Sequence, residues 1–138
     1  QDSAAPVVLL VDDEDAVRSA ARRILEREGY EVLEASQGGE AHDVYLAHAD
    51  RIRLLLTDLA MPVLGGRALA QRIRARDPQL PVLFISGYSS QDVRGSGPPL
   101  PGVPLLAKPF TAEQLLAAVA GALGGAATAR PDSEIVAR

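Results

Sequence analysis

Four apolar runs, each about the length of a strand and each halting on polar residues, restrict this sequence more than anything else in it. Val7 to Val11 stops on Asp12-Asp13, Leu54 to Leu56 on Thr57-Asp58, Val82 to Ile85 on Ser86, and Val103 to Ala107 on Lys108. Runs without polar alternation belong to strands covered on both faces, which is the condition of a parallel sheet. If the strands are parallel their ends share one edge, where open α/β sheets keep their ligands. The pattern therefore gathers three acids, a hydroxyl and a lysine at one rim.

The segments between the runs supply the covering layers. Val17, Ala20, Ala21, Ile24 and Leu25 recur at helical spacing, with Arg18, Arg22, Arg23, Glu26 and Arg27 on the other side and Gly29 closing the segment. Glu31 to Ala35 reads as a short strand, and Gly38-Gly39 precede a helix that faces inward with Ala41, Val44 and Tyr45. Pro62 and Gly65-Gly66 turn into a helix over Arg67 to Arg76, with Leu69 and Ile73 inward and Pro78 beyond its end. Where a fourth helix is due, Gly95 to Gly102 holds three prolines and three glycines, so that helix is expected to be shortened or irregular and the most mobile part. Thr111 and Gln114 form a capping box that opens a last helix, with Leu116, Val119, Ala120 and Leu123 on one face and Gly124-Gly125 ending it. The expected layout is a linker at 1–6, one domain at 7–124 and a disordered tail at 125–138. Five alternations of strand and helix make the class α/β, a doubly wound five-stranded parallel sheet.

Composition narrows the function. At 138 residues, 47% hydrophobic and 23% charged, the chain is one globular domain, and no apolar run is long enough to span a membrane. A net charge of -4, with no cluster of basic and aromatic residues, gives no reason to expect nucleic-acid contact. The absence of cysteine excludes thiol catalysis and thiolate metal sites and agrees with a cytoplasmic location. Gln1-Asp2-Ser3 is no signal-peptide start, and without an initiator Met the sequence reads as a piece of a longer chain.

Three carboxylates at one rim raise one another's pKa, so a cation is expected among them. All-oxygen donors suit Mg²⁺, with Mn²⁺ as the alternative ion. Lys108 is a point charge for a phosphoryl oxygen, Ser86 can donate to another, and Asp58 between them is a nucleophile toward phosphorus. Taken singly, each residue has a blander role: an Asp after a strand caps a helix, a Ser or Lys at a strand end is surface, and His42 and His48 read as solvated side chains. Gly38-Gly39 and Gly65-Gly66 match no phosphate-loop spacing. The conjunction at four strand ends is what outweighs the single readings.

With those residues in view, the sequence resembles the receiver domains of two-component response regulators over roughly Val7 to Leu123. Val11-Asp12-Asp13-Glu14 is similar to the family's acidic pair, Asp58-Leu59-Ala60-Met61-Pro62 with Gly66 to its phosphorylation loop, Ser86-Gly87 to its hydroxyl switch, and Lys108-Pro109-Phe110 to its lysine turn. The resemblance implies a flavodoxin-like sheet of order 2-1-3-4-5 and a cis Lys108-Pro109 bond. It implies that Asp58 takes a phosphoryl group from a histidine kinase or histidine phosphotransfer domain. It further implies Mg²⁺ on Asp13, Asp58 and the Ala60 carbonyl, with Asp12 helping through water, and Ser86 moving toward the phosphate. Such a domain catalyses its own phosphorylation and dephosphorylation without being a conventional enzyme.

Leu105 stands where the family usually keeps an aromatic residue that reports phosphorylation on the face of the last strand, so the first or last helix is preferred as a docking or homodimer surface. Ser86-Gly87-Tyr88 and Leu106 to Thr111 look most like the carboxyl-terminal receivers of hybrid sensor kinases. Two other readings compete: a non-switching interaction scaffold, and an aspartyl phosphatase of the haloacid dehalogenase type, which would want an acid where Ala60 stands.

Overall fold

The structure, a computed structural model, describes residues 6–61, 63–87 and 102–128. In chain order the elements are β1 (Val7–Val11), α1 (Asp15–Arg27), β2 (Glu31–Ala35), α2 (Gly38–His48), β3 (Ile52–Asp58), α3 (Gly66–Arg74), β4 (Val82–Ser86), β5 (Leu105–Ala107) and α4 (Ala112–Thr128). The strands form one parallel sheet in the order β2-β1-β3-β4-β5, as the resemblance implies.

The apolar runs split their side chains between two cores, because successive residues of a strand point to opposite faces. Leu9, Val11, Leu55 and Phe84 pack with Ala41, Tyr45, Leu69 and Ile73 of α2 and α3. Val8, Leu10, Leu54, Leu56, Leu83 and Ile85 pack with Ala21, Leu25, Leu115 and Val119 of α1 and α4. Covering helices on both faces are what allow β1 and β4 to be buried throughout.

Several boundaries and faces differ from the sequence reading. Gly38-Gly39 are the first turn of α2 rather than its approach, since a side chain on Gly38 would stand 2.5 Å from the Leu64 carbonyl oxygen. The last strand starts at Leu105, not Val103, and its residues run exposed, half-buried, exposed, because an edge strand has neighbours on one side only. Ala20 is exposed on α1. On α4 the buried positions are Leu115 and Val119 while Ala120 is exposed, a rotation the sequence could not resolve in a stretch that is apolar all round. The same helix runs through Gly124 and Gly125 to Thr128 instead of ending on them. Glycine in a helix costs only about 1 kcal/mol against alanine, and alanines follow. The irregular fourth helix, the linker up to Ala5, Pro62 and the tail from 129 onward lie outside the described residues.

The Thr111–Gln114 capping box is present in both directions, at 2.8 and 3.0 Å. The Lys108-Pro109 peptide is cis.

Candidate functional site

Register alone brings the strand ends together. Val11 stands opposite both Ala35 and Thr57, Asp58 opposite Ile85, and Ser86 opposite Ala107, so Asp12, Asp58, Ser86 and Lys108 follow one another across the carboxyl rim. One carboxylate oxygen from each of Asp12, Asp13 and Asp58 lies within 4.8 Å of the others. Asp12 and Asp58 are buried, Asp58 at 4% exposure, and Asp13 is exposed. The Lys108 ammonium reaches the acids other than Asp13, at 3.2 Å from Asp12 Oδ2, 3.5 Å from Asp58 Oδ2 and 2.7 Å from Glu14 Oε1.

Local structure fixes each group. Asp12 Oδ1 accepts the Glu14 N–H at 2.9 Å, and the Ala60 N–H reaches Asp58 Oδ1 at 3.4 Å. Thr57 is buried and its hydroxyl donates to the Asp58 carbonyl at 3.0 Å. Gly66 is required where α3 begins, since any Cβ there would collide with that same carbonyl. Lys108 is seated by its own N–H, which donates to the Ser86 carbonyl at 2.7 Å. Ser86 is buried beside it.

The electrostatics follow from burial. Burial pushes the Asp58 carboxyl up to about 6 and the charge of Asp12 pushes the same way, against the opposing pull of Lys108 and the Ala60 N–H. Asp12 is raised as well, chiefly by burial, with the Glu14 N–H and Lys108 opposing. For Lys108, burial would lower the pKa, but Glu14, Asp58 and Asp12 outweigh it and hold the ammonium charged. Asp12 Oδ2 is buried and makes no hydrogen bond. Its cationic neighbour among the described residues is the Lys108 ammonium at 3.2 Å, and a buried carboxylate oxygen facing two further carboxylates fits a divalent cation with oxygen ligands.

Although Asp58 is nearly covered, it lines an open cleft of about 950 Å³ with Asp13, Glu14, Ala60, Gly87 and Lys108. The far wall is apolar, made by Ala16, Val17 and Ala20 of α1 with Pro109 and Phe110. All the sequence-predicted site residues, Asp12, Asp13, Asp58, Ala60, Ser86 and Lys108, therefore meet at this rim. His42 and His48 are half-buried on α2 and join no metal-ligating group among the described residues. Sequence reasoning missed two residues. Glu14, which grips Lys108, was legible only as one more acid. Arg18, assigned to the solvated face of α1, has a side chain only 16% exposed and bonds the Asp12 carbonyl.

Comparison with known proteins agrees with this geometry. The family model described as "Response regulator receiver domain" matches residues 8–120. The sensor kinase CckA of Brucella abortus is 34% identical over 117 residues, 85% of this chain and 12% of that protein. The response regulator MprA of Mycolicibacterium vanbaalenii is 37% identical over 110 residues, 80% of this chain and 47% of that protein. The chain thus spans less than half the length of these relatives. Among solved structures, the receiver domain of the hybrid histidine kinase CckA superposes with a TM-score of 0.71 at 38% identity, covering 85% of this chain and 98% of that one. The chemotaxis protein CheY4 of Vibrio cholerae superposes at 0.77 with 29% identity, covering 87% and 100%.

Proposed function

The chain belongs to the response regulator receiver family of two-component systems, and from that premise we propose that it accepts a phosphoryl group on Asp58 from a phosphohistidine and signals by the change of shape that follows. The observation that carries the proposal is the meeting of Asp12, Asp13 and Asp58 within 4.8 Å under the Lys108 ammonium.

An Asp58 carboxylate oxygen attacks phosphorus, the P–N bond of the phosphohistidine breaks, and its electron pair returns to the imidazole nitrogen. The product is an acyl phosphate on Asp58 and a neutral histidine once that nitrogen has taken a proton from water. Lys108 exchanges part of its contact with the acids for a phosphoryl oxygen, and the Ser86 hydroxyl donates to another. Mg²⁺, held by Asp13, Asp58 and the Ala60 carbonyl with Asp12 behind, would neutralise charge on the transferring phosphoryl group. Transfer from a donor protein also needs a seat for it. The apolar wall of Ala16, Val17, Ala20, Pro109 and Phe110 beside the acids fits the helix of a histidine kinase or histidine phosphotransfer domain. On this reading the domain works in the cytoplasm beside its donor; none of its described helices is long and apolar enough to cross a membrane.

Adding Mg²⁺ with beryllofluoride, or with a small acyl phosphate, should shift the NMR signals of Asp58, Ser86 and Lys108. A chain that responds to neither is no phosphoacceptor. One observation favours a second reading, a scaffold that binds partners without switching: Leu105, at the position of the family's usual aromatic, is 40% exposed and packs no reporter ring. Partner binding that changes on phosphorylation excludes it. The phosphatase reading finds no second acid, because Ala60 occupies the place.

A further inference from the structure

Asp13 is the exposed member of the acid triad, and among the described residues no hydrogen bond or ion pair holds its carboxylate. Its position therefore depends on the peptide that joins it to Asp12. That peptide is gripped from outside the loop. Arg18, in the first turn of α1, donates from Nη1 to the Asp12 carbonyl oxygen at 2.7 Å. The guanidinium is itself fixed from two other directions, by Nε to Glu34 Oε1 at 3.2 Å and Nη2 to Asp15 Oδ1 at 2.6 Å. Glu34 lies on β2 and is held by Arg22 Nη1 at 2.9 Å, so the clamp is anchored to both α1 and the outer strand. On the inner side the Asp12 N–H donates to the Ala35 carbonyl at 3.2 Å.

We propose that Arg18 is a positioning residue for the cation site: by holding the Asp12 carbonyl it sets the plane of the Asp12-Asp13 peptide, and so the place of the Asp13 carboxylate. The inference rests on the reading of the three acids as a divalent-cation site. It needs the planar fork of arginine, because the three bonds leave one rigid group in three directions, and a lysine ammonium on a flexible stem cannot hold that arrangement. The role has a signature that charge alone reverses. Removing a cation beside three carboxylates makes the site more negative and, by Coulomb attraction alone, tightens binding of a divalent ion. Losing the clamp loosens it, and outer partners of metal ligands are commonly worth tenfold or more in affinity.

The experiment is a titration of the 138-residue chain with Mg²⁺ alone, and with Mn²⁺ as a second ion, followed by calorimetry and by the amide shifts of Asp12, Asp13 and Glu14. Wild type is compared with Arg18→Ala, Arg18→Lys and Arg51→Ala, the last breaking the ion pair to Glu31 away from the rim. Thermal melts of each are taken alongside. About tenfold weaker binding in both Arg18 variants, with Arg51→Ala at the wild-type affinity, supports the proposal. Unchanged or tighter binding in Arg18→Ala overturns it, even if the melting temperature falls, because Arg18 then serves stability only. Arg18→Lys keeps the charge and most of the stem, so it remains a test where the alanine variant does not fold. Full wild-type affinity in the lysine variant also overturns it. If the wild-type chain itself binds neither ion, the cation-site reading fails and takes this inference with it, an outcome read from the wild-type titration rather than from the variants.

Discussion

At the centre of the sheet, β1 and β3 are buried over nearly all their length and carry Asp12 and Asp58 at their ends. At its edge, β5 has three residues, none of them fully buried, and carries Lys108. Both regions serve one site, yet they are held by forces of different size. Each fully buried leucine or valine of β1 and β3 contributes roughly 1.5–3 kcal/mol of burial, enough to keep two repelling acids side by side. The edge strand has little such burial, and Lys108 is placed by one backbone bond to Ser86 and by the acids it faces. The repelling charges sit on the part that cannot yield, and the charge that on the proposed function would turn to a phosphoryl group sits on the part that can.

The largest effect expected is at the centre. Asp58→Asn should abolish phosphorylation and any response to beryllofluoride, while the metal-free melting temperature stays level or rises, because one of three crowded carboxylates is gone. A clear fall in melting temperature would mean that Asp58 stabilises the fold and that the acids are not under strain.

Truncations compare the two regions directly. Leu55→Ala empties a fully buried site of β3 and should cost about 3–4 kcal/mol, whereas Leu105→Ala, at a position 40% exposed, should cost less than about 1 kcal/mol. Equal losses in chemical denaturation would break the distinction between a fixed centre and a light edge.

Titration reads the strain at the centre. The Asp58 carboxyl stands at about 6 in the folded chain, against 3.8 unperturbed, with burial as the first cause. A carboxyl whose folded pKa is raised binds its proton more tightly in the native state, so its contribution is complete below about pH 4 and is lost as pH rises through 6. At about 1.4 kcal/mol per pH unit the whole displacement corresponds to about 3 kcal/mol. The gap in stability between Asp58→Asn and the metal-free wild type should therefore widen from pH 4 to pH 7, and Mg²⁺ should close it at pH 7. Parallel curves would show that burial does not strain this carboxyl.

The same contrast explains what the sequence disclosed. Val7 to Val11 and Val82 to Ile85 are apolar without a break, so strand, burial and polar terminus could be read from them directly, and with them the acids, Ser86 and Lys108. The ends of elements were less legible, because glycine in α4 weakens a helix without stopping it, and an all-apolar stretch has no polar face to mark Leu115 as the buried side. Arg18 was hidden for a different reason. Its partners Asp12 and Glu34 come from separate strands, and spacing along α1, which sets Arg18 beside Ala21 and Leu25 at the border of the apolar stripe, does not name them. Charged residues near a site are placed by tertiary structure, to which periodicity is blind.

Lys108→Ala tests the edge, and here the smallest effect is expected. The ammonium does not hold the acids in place, since the core of β1 and β3 does, so cation affinity should stay within about twofold of wild type or tighten slightly as a competing positive charge leaves. Beryllofluoride, which mimics the phosphoryl group, loses one charge-assisted contact and should bind about tenfold more weakly, or about 1.4 kcal/mol. The NMR changes at Ser86 and along β5 should shrink with it. A variant that loses cation binding would show that the lysine is part of what keeps the acids together, and the division between a fixed acidic centre and a movable basic edge would have to be abandoned.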